Sequence, residues 1–154
     1  MASYTATVAW TRGEEAFTDN KFSRLHSWSF DGGIEVRASA SPQVVRPPLS
    51  ATDAVDPEEG FVAALSSCHM LFFLAFAARQ GFRVDAYRDE AEGTLGKTAE
   101  GRTAMTLVTL RPAVRIGGEK LPSHEELMAL HHKAHEQCYI ANSVTSEVRI
   151  EPVF

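Results

Sequence analysis

One long apolar run, Phe61 to Ala78, dominates the chain, and on either side of it shorter stretches alternate apolar and polar positions. The run opens after Asp56-Pro57-Glu58-Glu59. Asp56 is a good N-cap, Pro57 suits the first helical position, Glu59 completes a capping box, and Gly81 is a natural stop. A helix over roughly 57–80 is therefore predicted. Because it is apolar nearly all round, it belongs at the centre of a domain or at a subunit interface. Phe61, Ala64, Leu65, Cys68, Phe72 and Ala75 share one side at helical spacing, which predicts that Cys68 faces inward. The run approaches the ~18 residues of a membrane span, but Ser66, Ser67, Cys68 and His69 interrupt it, and no membrane association is expected. A second helix is signalled by the Ser123/Glu126 capping box after Pro122 and should reach about Cys138. Leu127, Leu130, His131, Ala134 and Cys138 fall on one side of it, so Cys138 is also expected to face the core.

The alternating stretches predict strands over about 3–12, 23–30 and 34–41, the last two joined by a turn at Asp31-Gly32-Gly33. Pro42, Pro47 and Pro48 mark a loop from 42 to 55. Two extended segments, about 82–96 and 102–116, flank Thr98-Ala99-Glu100-Gly101, and a last strand covers about 144–152. The order βββ-α-ββ-α-β predicts an α+β fold of largely antiparallel sheets with two main helices, as a single domain over 1–154.

Charge narrows the partners. With 15 basic and 20 acidic residues the chain is at −5 and has no basic cluster, which argues against nucleic acid or an anionic membrane surface. The N-terminus alternates like a strand and lacks signal-peptide features, so a cytoplasmic location is expected. There, two inward-facing cysteines are reduced, redox-active or inert rather than a permanent structural disulfide.

Cys68 and Cys138 are the only thiols, each on a predicted helix. If the two helix faces meet, the sulfurs can bridge, which requires Cα atoms ~4.4–6.8 Å apart. Reactivity needs a thiolate, and a free thiol with a pKa of ~8.5 is mostly protonated at neutral pH. Cys68 lies mid-helix, away from the positive end of the dipole, so a cation has to be brought to it, and arginine suits best. Glu58 could hold that arginine. Ten residues of helix place Glu58 ~15 Å from Cys68, so either the helix breaks between them or Glu58 serves a cysteine of another chain. The plainer role of Glu58 and Glu59 is to complement the helix N-terminus. His131, His135 and Cys138, at i, i+4 and i+7, form an alternative zinc-ligand set, although His124 and His132 on the same helix also fit a histidine-rich surface. His69 cannot pair side by side with Cys68, because helical neighbours point ~100° apart. No nucleophile elbow and no phosphate-binding glycine loop is present.

The Asp56-Pro57-Glu58-Glu59 opening, the small-residue run Ala63-Ala64-Leu65-Ser66-Ser67 into Cys68, and a second cysteine late in the chain before the last strand resemble the OsmC/Ohr family of thiol-dependent peroxidases. The likeness extends over nearly the whole chain. It implies an intertwined homodimer that reduces organic hydroperoxides to alcohols, with Cys68 as peroxidatic and Cys138 as resolving cysteine. It implies that Glu58 orients an arginine against the thiolate: Arg24, or alternatively Arg46. It implies reduction by a dithiol, lipoylated proteins among them, with no bound cofactor or metal. Two departures place the chain in a less typical branch: Cys138-Tyr139 stands where Cys-Pro is usual, and His69 follows Cys68 where an apolar residue is common. An apolar wall of Phe61, Leu65, Met70, Phe72 and Phe73 is expected to favour bulky hydroperoxides. A non-enzymatic binding protein on the same fold is the other alternative.

Overall fold

In the computed structural model, which covers residues 1–154, the chain forms two compact units, Met1–Gly60 and Phe61–Phe154. The first is an antiparallel three-stranded sheet of β1 (Thr7–Ala9), β2 (His26–Ser29) and β3 (Glu35–Ala38) in the order β1-β2-β3. Gly33 turns the β2–β3 hairpin at φ +82°, where a side chain would be strained, and its N–H donates to Phe30 O at 3.0 Å. The strands are shorter than predicted because the segments before β2 are held by side-chain contacts instead of ladder bonds. Trp10, Phe17 and Phe22 pack as an aromatic cluster, with Phe17 and Phe22 stacked at 4.6 Å.

Helix α1 runs unbroken from Pro57 to Arg79. Its capping box forms as the sequence predicts: the Glu59 N–H donates to Asp56 Oδ1 at 2.8 Å and the Asp56 N–H to Glu59 Oε2 at 3.1 Å. Gly81, at φ +81°, ends it, with the Phe82 N–H donating back to Ala77 O.

The predicted pair of long extended segments is four strands. β4 (Arg83–Asp89) pairs with β7 (Pro112–Gly117), and β5 (Glu92–Lys97) pairs with β6 (Thr103–Leu110), all antiparallel. The ribbon breaks where Pro112 lacks an N–H and where the Arg111 N–H donates to the Asp89 carboxylate (2.6 Å) in place of a cross-strand carbonyl. The other Asp89 oxygen accepts the Ser66 hydroxyl of α1. Helix α2 (His124–Gln137) starts at the predicted Ser123/Glu126 box and is capped by Cys138 in extended conformation. A 3-10 turn at Ala141–Ser143 leads to β8 (Glu147–Ile150), which joins β6 in parallel to give the order β5-β6-β8.

Two apolar clusters fill the second unit. Phe73, Phe76, Ala77, Phe82, Leu130 and Ala134 join the C-terminal half of α1 to α2, with Val84 and Ile116 of β4 and β7 against them. Leu65, Val108 and Leu110 join the N-terminal half of α1 to β6, with Ile140, Val148 and Ile150 around them. α1 is long and apolar enough to cross a membrane by length and composition alone. Its side chains enter both clusters. The buried residues of α1 are Leu65, His69, Phe73, Phe76 and Ala77. That is a correction to the predicted face: Cys68 is half-buried, and Ala64 and Ala75 are exposed.

Candidate active site

Cys68 and His69 sit on α1 at the seam between the two apolar clusters, after Leu65 and before Phe73. Cys138 lies at the end of α2 and is fully buried, and both cysteines are free thiols. The structure brings them together. The Cys138 thiol is pushed up to about 11, chiefly by burial, with the neighbouring Cys68 thiol raising it further. Backbone donors oppose this: the Ala141 N–H points at Cys138 Sγ at 3.4 Å, and the Ile140 N–H also favours the thiolate. These donors exist because the chain leaves α2 at Cys138 and turns at once into the 3-10 segment.

Around Cys68, helical spacing places Leu71 and Phe72 one turn on. Leu71 is exposed, and Phe72 is half-buried with Tyr139 packed edge-on at 5.0 Å. The predicted apolar wall needs correction here. Leu65 and Phe73 have no exposed surface, because they are core residues of the two clusters and cannot line an open site.

Glu58 does not reach Cys68 along its own helix. The continuous helix keeps Glu58 ten residues, ~15 Å, from Cys68. Its Oε2 is buried without a hydrogen-bond partner. The Arg24 guanidinium folds over the Phe22 ring at 3.8 Å and donates to Asn20 Oδ1 at 2.8 Å, to Asn20 O and to Phe22 O. Neither Arg24 nor Arg46 forms an ion pair with a carboxylate in the chain.

The alternative metal set is not assembled. No three His, Cys, Asp or Glu side chains are arranged to hold an ion. His131 turns its Nδ1 to His69 Nε2 at 3.2 Å, and His132 pairs with Glu136 on the surface. The His69–His131 contact is not among the sequence expectations, in which His69 stands beside Cys68 and His131 is an inward-facing position of the second helix or a metal ligand. A signal was available: each histidine interrupts an otherwise apolar helical stripe, His69 between Leu65 and Phe73, His131 between Leu127 and Ala134. Both are about 1% exposed, their rings are parallel within 2°, and Phe73 stacks on His131 at 4.3 Å. Burial lowers each from 6.5 to about 4, and for His69 the neighbouring charges of His131 and His135 add to it. Both rings are therefore neutral at physiological pH.

A strand-rich α+β unit built on one long central helix, with two free thiols as neighbours on its two packed helices, has the architecture of the OsmC-like proteins. The chain belongs to the OsmC-like protein family, whose pattern matches residues 50–153. An OsmC-like protein of unknown function from Vibrio cholerae is 54% identical and superposes with a TM-score of 0.98, over 99% of this chain and 100% of that one. Two more distant structures share the fold. An organic hydroperoxide resistance protein OsmC from Legionella pneumophila has 20% identity and a TM-score of 0.71, over 100% of both chains. The organic hydroperoxide resistance protein OhrB of Bacillus subtilis has 18% identity and a TM-score of 0.67, over 99% of this chain and 98% of that one. No curated protein matches the sequence.

Proposed function

We propose that the protein is a cytoplasmic thiol-dependent peroxidase that reduces organic hydroperoxides, with Cys68 as the attacking and Cys138 as the resolving cysteine. The observation that carries this reading is that a half-buried thiol and a fully buried one are neighbours on two packed helices. The Cys68 thiolate attacks the outer oxygen of ROOH. The O–O bond breaks, RO⁻ takes a proton and leaves as the alcohol, and Cys68 is left as a sulfenic acid. The Cys138 sulfur then attacks Cys68, an S–S bond forms, and the hydroxyl leaves as water after taking the Cys138 proton. The Ala141 N–H is placed to favour the Cys138 thiolate in that step. A dithiol, free or on a lipoylated partner, reduces the disulfide by two exchanges and is itself oxidised to a disulfide. Leu71, Phe72 and Tyr139 give the mouth of the site an apolar character that suits an organic substituent better than hydrogen peroxide.

Glu58 acts in this reading across a homodimer, holding Arg24, or Arg46, against the Cys68 of the other subunit. The support is the buried, unpartnered Glu58 oxygen, which an arginine would complete, together with the unbroken helix that keeps it from its own cysteine.

The test is consumption of cumene hydroperoxide by the reduced protein with a dithiol, in wild type, Cys68→Ser and Cys138→Ser. Turnover should vanish in Cys68→Ser, and a sulfenic acid should accumulate in Cys138→Ser. A wild-type protein inert to organic hydroperoxides would leave a binding role on this fold, and faster turnover of hydrogen peroxide would overturn the substrate preference.

A further inference from the structure

We infer that His69 and His131 are a positioning pair, whose buried hydrogen bond sets the axial register of α1 against α2 and so holds the Cys68 sulfur against that of Cys138. This deepens the preceding reading and rests on its pairing of the two cysteines, but not on peroxide as the oxidant.

His69 directly follows Cys68, and His131 stands seven residues, about two turns, before Cys138 on the same side of α2. A fixed His69–His131 contact therefore fixes both cysteines at once. The surrounding interface of Phe73, Phe76, Leu130 and Ala134 is apolar and carries little directional information of its own. A single polar contact in such an interface has one register in which both partners are satisfied, the best-attested use of a buried polar group. The second nitrogens of the pair, His69 Nδ1 and His131 Nε2, are already buried without partners, so loss of the mutual bond would strand two more polar atoms. Phe73, one turn beyond His69, stacks on His131 and fixes its plane. The sulfurs tolerate little error. A one-residue slip moves α1 by ~1.5 Å and turns it by ~100°, enough to swing a cysteine out of bonding geometry.

Thiol–disulfide exchange with glutathione tests this on the full chain. The reduced protein reacts with oxidised glutathione, the glutathione S–S bond breaks, and the Cys68–Cys138 bond forms. Two electrons and the two thiol protons pass to glutathione, giving two reduced molecules. His69→Leu and His131→Leu should each lower the exchange constant about tenfold, the effect of stranding one buried polar partner. In the double variant His69→Gln/His131→Asn, the amides reach the positions of Nε2 and Nδ1, and the constant should return to within about threefold of wild type. Melting temperatures are measured alongside. A merely structural role would lower melting in the leucine variants and leave the exchange constant unchanged, and that result would overturn the inference. So would a double variant that folds but exchanges as poorly as the leucine variants, or a wild type in which peptide mapping finds no Cys68–Cys138 disulfide. If the leucine variants do not fold, the double variant decides alone: a near-wild-type constant supports the inference and a tenfold lower one overturns it. Since no peroxide is used, inertness toward hydroperoxides would sink the peroxidase reading and leave this result standing.

Discussion

Acidification should unload the two helices from each other, and the His69–His131 pair sets the size of the effect. Each ring falls from 6.5 in the free state to about 4 in the fold. Between those values the unfolded chain holds a proton on each ring that the folded chain does not. Stability therefore rises with pH across this window and falls as pH drops from 6.5 toward 4. Above 6.5 both states are neutral and the rings contribute no slope. At about 1.4 kcal/mol per pH unit, each ring removes about 3 kcal/mol, and the pair about 6 kcal/mol, by pH 4. A domain with about 5–15 kcal/mol in total would then be close to unfolding. Urea unfolding of wild type and of His69→Gln/His131→Asn, followed by far-UV circular dichroism from about pH 7.5 to 4.5, measures the contribution as a difference. His135, the other histidine close enough to act on His69, is unchanged in both proteins and cancels. Near the middle of the window the wild-type curve should be steeper by about two protons, or about 2.7 kcal/mol per pH unit. Parallel curves would refute the reasoning, because they would mean that the rings reach water or a proton partner in the fold.

Three further outcomes are expected. Gly60→Ala should destabilise by about 1–2 kcal/mol in urea, because the new Cβ meets Trp28 Cη2 at 2.8 Å; overpacking of about 1–3 kcal/mol outweighs the gain of up to ~1 kcal/mol in helix propensity, and a more stable variant would show that the indole yields freely. Iodoacetamide at about pH 8 should label Cys68 well before Cys138, which is buried with its thiol pushed up to about 11, and peptide mass mapping showing the reverse order would contradict the site geometry. Asp89→Ala should cost about 1–3 kcal/mol in urea by depriving the Ser66 hydroxyl and the Arg111 N–H of their acceptor, whereas an unchanged midpoint would show that water replaces the carboxylate.

The helices were legible in the sequence because their ends are written in local chemistry: Asp56 with Glu59, Ser123 with Glu126, and Gly81 each act within a turn. The buried face of α1 was not. A helix that is apolar all round has no amphipathic signal, and the burial of His69, Phe73, Phe76 and Ala77 in place of the predicted Ala64, Cys68, Phe72 and Ala75 is decided by what β6 and α2 present. The split of the 83–117 ribbon into four strands was equally hidden, since it depends on Asp89 accepting from Arg111, a partner 22 residues away. At the site, both cysteines stood out by scarcity, and they are neighbours on two packed helices although Cys68 lies off the buried face of α1. The histidine pair could not be read out, because its partners lie 62 residues apart and each ring alone has several plausible roles.

The parallel strand β8 bears on the chemistry through the timescale of local opening. Ile140, Ala141 and Val144, which follow Cys138, share one apolar cluster with Val148 and Ile150 of β8, and that strand has only β6 as a neighbour. An edge strand of four residues is among the first elements to detach in native-state fluctuations, with a free energy below that of global unfolding. When it lifts, the packing of the segment that follows Cys138 loosens while Cys68 stays held in the central helix. The lifetime of β8 on its sheet then sets how often the buried sulfur meets solvent, so the amide-exchange rates of Val148 and Ile150 and the slow alkylation of Cys138 should report one and the same opening.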